Sequence, residues 1–246
     1  MNEALKQKVD DLTRTLVRVA LEHSPAALAS SLSAEDMVIT DAILRNKLAI
    51  QIFTLDTERL HAETLSVIAA VCERYGYDIR VYRPDPRAVA EYVATHGRDA
   101  FYESVELRKR CCHIRKVEPL ERALAGKEAW ITGQRREQSV TRTELKLQEF
   151  DAAHGIVKLN PLADWGEDEV WSYLRAFDVP YNALHDQGYR SIGCAPCTRP
   201  TVAKEDARAG RWWWEIREAR ECGLHVSSNE PRRRASTGGS ASVPAG

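Results

Sequence analysis

What this chain lacks narrows it first. No apolar run approaches the ~20 residues that a membrane-spanning helix needs. The opening stretch, MNEALKQKVDD, has no apolar core of the signal-peptide kind, so the expected location is the cytoplasm. Charge of one sign is also lacking: 35 Lys and Arg face 36 Asp and Glu, a formal charge of −1. That argues against general nucleic-acid binding and leaves room for local basic pockets only. There is no internal repeat, no RNA-binding module and no recognition helix. The turn after the first strand lacks the glycine-and-lysine pattern of a Walker-type ATPase.

What is present fits one α/β domain. The 246 residues can bury a full core without disulfide staples. In a reducing compartment, Cys72, Cys111, Cys112, Cys194, Cys197 and Cys222 read as metal ligands or reactive thiols before they read as staples.

Leu5, Val9, Leu12, Leu16 and Val19 recur at helical spacing and predict an opening helix. Strands are expected at 26–32, 48–55, 78–83 and 128–133, alternating with helices near 35–44, 60–75 and 87–92. A further helix is expected from about Glu106 to Val117, stopping before Pro119, and another from Glu167 to Phe177. LKLQEF and GIVKLN read as a short strand pair. Strands alternating with helices indicate a mostly parallel sheet flanked by helices. The stretch 227–246, rich in Ser, Gly, Pro and Arg, is expected to be disordered.

Ligands of open parallel sheets bind outside the carboxyl ends of the strands. Ser30 to Asp36, Asp56-Thr57 and Gly133-Gln134-Arg135-Arg136 all fall at that edge. A serine-rich turn opening a helix offers hydroxyls, free N–H groups and a positive dipole end to an anion. Asp56 could accept from a ribose hydroxyl, and paired arginines suit phosphate or sulfate oxygens. Taken singly, Ser31 or Ser33 also reads as a plain N-cap, Asp56 as a turn residue and the arginines as a solvated loop.

The cysteines are the sharper signal. Cys111-Cys112 and Cys194-Ala195-Pro196-Cys197 supply four thiolates about eighty residues apart. Zinc is the plainer occupant, but neighbouring side chains in a helix diverge by about 100° and converge awkwardly on one ion. A 4Fe-4S cubane spreads its irons, and it is the favoured reading. Arg108, Lys109, Arg110, Arg115, Lys116 and Arg199 flank the pairs and could offset their charge or attract an anionic substrate. Cys222, followed by Gly223 and His225, suits a mobile nucleophile that Arg208, Arg211 and His225 would activate; an incidental exposed thiol reads equally well. Cys72 lies in an apolar helix and reads as core, and Trp212-Trp213-Trp214 reads as packing.

The combination of Cys-Cys, Cys-x-x-Cys, Ser31-Leu32-Ser33-Ala34-Glu35-Asp36, Leu55-Asp56-Thr57, Thr132-Gly133-Gln134-Arg135-Arg136, Arg211-Trp212-Trp213-Trp214-Glu215 and Glu221-Cys222-Gly223-Leu224-His225 resembles the assimilatory adenylyl-sulfate reductases, within the phosphoadenylyl-sulfate reductase family. The resemblance implies an adenine nucleotide α-hydrolase-like fold, with one reductase domain over 1–225, a cluster-binding region and a mobile C-terminal segment. It implies one 4Fe-4S cluster per chain on Cys111, Cys112, Cys194 and Cys197, with Lys116 lying between cluster and substrate. Cys222 would be the nucleophile and His225 its companion on the mobile segment. Ser31, Ser33, Asp56, Arg135, Arg136, Arg199, Arg208 and Arg211 would meet the substrate. The implied substrate is adenosine 5′-phosphosulfate, the thiol donor thioredoxin, and the products sulfite and AMP. The 3′-phosphorylated nucleotide is the alternative substrate, and an ATP-using adenylylating enzyme the more distant reading. A homo-oligomer is compatible with the resemblance.

Overall fold

The computed structural model describes residues 1–138, 143–202 and 205–216. Helix α1 (Glu3–Glu22) opens on Asn2, whose side chain accepts from the Leu5 N–H at 2.9 Å. It buries the predicted stripe of Leu5, Val9, Leu12, Leu16 and Val19. Six strands follow: β1 (Ala26–Ala29), β2 (Ile50–Leu55), β3 (Arg80–Tyr82), β4 (Ala129–Ile131), β5 (Gln148–Asp151) and β6 (Ile156–Leu159). They form one sheet in the order β3-β2-β1-β4-β6-β5. All neighbours pair parallel except β5, which lies antiparallel against β6 at the edge. The two segments expected to pair do so, and their pair extends the parallel sheet through β6.

The other helices are α2 (Ala34–Arg45), α3 (Ala62–Tyr75), α4 (Pro86–His96), α5 (Val105–Cys112), α6 (Glu118–Leu124) and α7 (Glu167–Ala176). Strand alternation divides the core between the two faces of the sheet. Ala26 and Leu28 of β1 pack with α1, α2, α3 and α7, while Ala27 packs with Phe53, Trp130 and the Leu120, Ala123 and Leu124 of α6. Under the first face the buried Asp41 accepts from the hydroxyls of Tyr75 at 3.0 Å and Tyr173 at 2.6 Å, joining α2, α3 and α7.

Two expectations are corrected. The helix after Glu106 does not stop before Pro119. It runs from α5 through a π-helical turn at His113–Val117 and continues as α6 with Pro119 in its first turn. Proline in a first turn gives up no needed N–H, and the wider π turn relieves the carbonyl clash of a mid-helix proline. Cys72 is exposed rather than core, because it faces outward from α3 and donates to Asp78 at 3.4 Å. Among the described residues no helix is long and apolar enough to cross a membrane.

Candidate active site

Strand order reverses between β1 and β4, the switch point at which open α/β sheets form a crevice. A cleft of about 470 Å³ occupies it, lined by the turns after β1, β2 and β4 and by residues 181–194 and 207–212. That volume falls within the range of small-molecule sites.

The turn after β1 is built around Asp36. Its Oδ2 accepts from the Ser31 N–H at 2.7 Å and the Ser31 hydroxyl at 2.5 Å. The turn passes through a left-handed Leu32 (φ 62°), buried in the core, and the Ser30 hydroxyl accepts from its N–H at 3.2 Å. Burial pushes Asp36 up to about 6, against the pull of the Ser31 bonds. Ser33 takes the N-cap position of α2 but makes no side-chain cap bond, and it lines the cleft. The next N–H, of Ala34, reaches Nε2 of His185 at 3.3 Å. Burial lowers the pKa of His185, in keeping with a neutral ring that accepts there. Gly133 lets the turn after β4 close on this one: a Cβ there would sit 2.4 Å from Asp36 Oδ1.

Ser31, Ser33, Lys116, Arg135, Arg208 and Arg211 all line the cleft. Arg135 is held by Glu35 (3.0 Å), Glu137 (2.9 Å) and the Trp165 carbonyl (3.1 Å). Arg211 donates to the Ile192 carbonyl at 3.0 Å and packs over Gly193, where a Cβ would meet its guanidinium at 2.3 Å. Three expected residues stand outside the lining. Asp56 caps the Glu58 N–H at 2.9 Å and pairs with Arg83 at 3.0 Å. Arg136 pairs with Asp164, and Arg199 with Glu205 at 2.9 Å. Cys222, His225 and the tail 226–246 lie outside the described residues.

Sequence reasoning passed over His185 and gave Gln134, though placed at the sheet edge, no role of its own. Gln134 is buried at the cleft wall with Oε1 lacking a partner, as it stands in this structure. Neither carried a signal: one is a lone histidine in a loop region, the other a residue between better-marked neighbours.

Beside the cleft lies a second, small cavity lined by Cys111, Cys112, Cys194 and Cys197 with Arg59, Phe101, Arg108, Arg115, Lys116 and Pro196. The two pairs, distant in sequence, therefore meet. The end of α5 carries one, and a 3-10 turn at Ala195–Cys197 carries the other. That turn is fastened by the Arg59 carbonyl, which takes the Ala195 N–H at 2.7 Å, and by Tyr102, whose hydroxyl donates to the Pro196 carbonyl at 2.6 Å. Phe101 and Trp212 wall the thiols with apolar surface.

The thiols differ in character. Burial pushes Cys197 up to about 12 and raises Cys111. Burial opposes ionisation of Cys194 too, but Lys116, the Thr57 hydroxyl 3.2 Å away and Arg211 outweigh it and pull that thiol down. Lys116 and Cys194 line both cavities, so the π turn after Cys112 sets one ammonium between the thiols and the cleft. Among the described residues no group of three or more His, Cys, Asp or Glu is arranged to hold a single metal ion. The four thiols line one small shared cavity.

An adenine nucleotide α-hydrolase-like sheet, a switch-point cleft and an adjoining four-thiol chamber define the class of protein. The chain belongs to the family of the phosphoadenosine phosphosulfate reductase domain, whose sequence model matches residues 25–200. It is 60% identical over 227 residues to the adenosine 5′-phosphosulfate reductase of Burkholderia cepacia, covering 92% of this chain and 91% of that one. It is 57% identical over 218 residues to the protein of that name from Allochromatium vinosum, covering 89% and 85%. Among solved structures, the phosphoadenylyl-sulfate reductase of Candida auris in its phosphate complex superposes with a TM-score of 0.66 at 25% identity, over 81% of this chain and 98% of that one. The FMN adenylyltransferase of Candida glabrata in complex with ATP shares the fold, with a TM-score of 0.56 at 16% identity, over 89% and 74%.

Proposed function

We propose that the chain reduces adenosine 5′-phosphosulfate to sulfite and AMP in sulfate assimilation, with thioredoxin as the thiol donor and the cytoplasm as its site of action. The observation that carries this reading is Lys116, a buried cation shared by the nucleotide-sized cleft and the thiol chamber. The names of the relatives at 60% and 57% identity support adenosine 5′-phosphosulfate over its 3′-phosphorylated form.

In the proposed reaction the Cys222 thiolate attacks the sulfur of the sulfo group. The bond from sulfur to the bridging phosphate oxygen breaks, and AMP leaves with the electron pair. The enzyme is left with an S-sulfocysteine. A thiolate of thioredoxin then attacks Cys222 Sγ, sulfite leaves with the sulfur–sulfur pair, and the second thiol of thioredoxin frees Cys222 as thioredoxin becomes a disulfide. An anionic nucleophile must approach a centre ringed by negative oxygens, so fixed positive groups lower the barrier. Lys116, Arg208 and Arg211 stand at the cleft for that task, with Ser31, Ser33 and Arg135 on the wall that receives the phosphate.

Cys111, Cys112, Cys194 and Cys197 would hold one 4Fe-4S cluster. Its fit rests on four thiols facing one chamber among Arg59, Arg108, Arg115 and Lys116. When bound, the cluster supplies an anionic, polarisable body that sets the field and the position of Lys116. Residues 1–225 would work as a single reductase unit.

The test is sulfite release by the anaerobically purified protein with thioredoxin, comparing adenosine 5′-phosphosulfate with its 3′-phosphorylated analogue. Preference for the former is expected. Cys222→Ser should abolish the covalent adduct while iron content is kept. Normal sulfite formation by that variant removes Cys222 from the mechanism.

A further inference from the structure

Glu215, seven positions before Cys222, is fastened to the helix that carries Cys111 and Cys112. Arg108 lies one helical turn before Cys112, so the two side chains share a face of α5. Its Nε and Nη2 donate to the two carboxylate oxygens of Glu215 at 2.8 and 2.7 Å. The pair is sealed from solvent, with side-chain exposures of 0% and 4%. The same guanidinium hydrogen-bonds Cys112 and stacks 4.8 Å from the centre of the Trp212 ring. Backbone bonds tie this segment to the other cysteine pair. The Trp212 N–H donates to the Cys197 carbonyl at 3.1 Å, the Arg199 N–H donates to the Gly210 carbonyl at 3.0 Å, and Thr198 bridges to Arg211. Residues 210–216 are thus pinned to both cysteine pairs at once.

A buried ion pair is a poor source of stability, since packed apolar groups often do as well. What a two-pronged guanidinium–carboxylate contact adds is orientation. Cys222 lies seven positions after Glu215, a reach of at most about 25 Å for an extended chain.

We propose that the Arg108–Glu215 pair fixes the point from which the chain leads to Cys222, and so positions that nucleophile for the proposed reaction. The pair makes delivery of the nucleophile depend on a charge set in the helix of the first cysteine pair. The proposal rests on the reading of Cys222 given above. Arg108 and Glu215 act through Cys222 and are positioning residues.

Glu215→Gln in the full chain, purified anaerobically with its iron, tests it. Iron per chain should be unchanged, and AMP affinity should stay within about twofold, because neither residue lines the nucleotide wall. Trypsin should cut after the buried Arg211 at least about tenfold faster, as the segment opens locally. The Cys222 adduct should form about a hundredfold more slowly in a single turnover, the order expected for a misplaced reacting group. Glu215→Asp should recover part of that rate.

An unchanged cut after Arg211, or adduct formation within about threefold of wild type, overturns the proposal. So does loss of iron together with the adduct, which would make the pair a part of the thiol chamber alone. A wild-type protein that forms no adduct refutes the functional reading, and the trypsin comparison still decides the anchor. Should Glu215→Gln fail to fold, Arg108→Met with Glu215→Leu replaces the pair by packed apolar groups. A slow adduct in that protein supports the proposal, and a wild-type rate overturns it.

Discussion

Asp36 is a carboxylate placed where the chain needs an acceptor and water is absent. Its charge holds the Ser31 turn in shape, and burial raises its pKa from 3.8 to about 6. A carboxyl raised in the folded state binds its proton more tightly there than in the unfolded chain. Stability from this group is therefore full below about pH 4 and is lost as pH rises through about 6. The loss amounts to about 3 kcal/mol once both states are ionised. Asp36→Asn keeps an acceptor for the Ser31 N–H and cannot ionise. Urea unfolding of both proteins from pH 4 to 7.5 should show the variant gaining on the wild type by about that amount. Parallel curves would mean that the Ser31 bonds hold Asp36 ionised down to ordinary carboxylate values. The four thiols of the chamber were legible in the sequence because two close pairs in one chain carry a stoichiometry. Asp56 was singled out over Thr57, yet Thr57 reaches Cys194 and lines the cleft, while Asp56 turns back to Arg83. Both sit at the same strand end, and sequence position does not say which side chain turns inward. Arg136 and Arg199 were placed near the substrate by the sheet edge, the cysteine pair and the family resemblance, and a pattern of motifs carries no sign of their ion pairs with Asp164 and Glu205.

At the scale of elements, the hydrophobic periods located the helices and strands well, and the exception is informative. The π turn at His113–Val117 leaves no mark on a pattern of apolar residues, and Pro119 points to a stop that does not occur. Its effect is to redirect the chain just after Cys112, which brings Arg115 against the Thr57 carbonyl at 2.7 Å and Lys116 between the two cavities. A second device joins elements: the turn after β4 meets the start of α2 only because residue 133 has no side chain. Gly133→Ala would press a methyl group on the Asp36 carboxylate and on Glu35 Cβ, 2.9 Å away. These are part of the helix start, not the far end of a flexible chain. The variant should lose about 1–3 kcal/mol of stability as the turns move apart. AMP, measured by calorimetry, should bind at least about tenfold more weakly, since small displacements at a binding site are costly. Unchanged AMP affinity would move the nucleotide away from the seam between β1 and β4.

On the scale of the whole molecule, one cleft and one thiol chamber share Lys116 and Cys194, and Thr57 and Arg211 of the cleft act on the Cys194 thiol. Two sites built from the same side chains are linked, and linkage is reciprocal. AMP at a hundredfold its Kd should stabilise the native chain by about 2.7 kcal/mol. For a chain of this size that is a rise of about 5–11 °C in Tm. With the proposed cluster in the chamber, removing its iron with a chelator would leave four thiols that repel one another less and would release Lys116 and Arg211 from an anionic neighbour. Their set towards the nucleotide should then relax, and the AMP-induced rise in Tm should shrink in the iron-free protein. By the same coupling, AMP should slow the loss of iron to the chelator, followed by the bleaching of its visible absorbance. If AMP raises Tm equally with and without iron and leaves the bleaching rate unchanged, the two cavities are neighbours without communication. Lys116 would then serve the nucleotide alone, and the thiol chamber would act as a scaffold for α5 and the Cys194 turn.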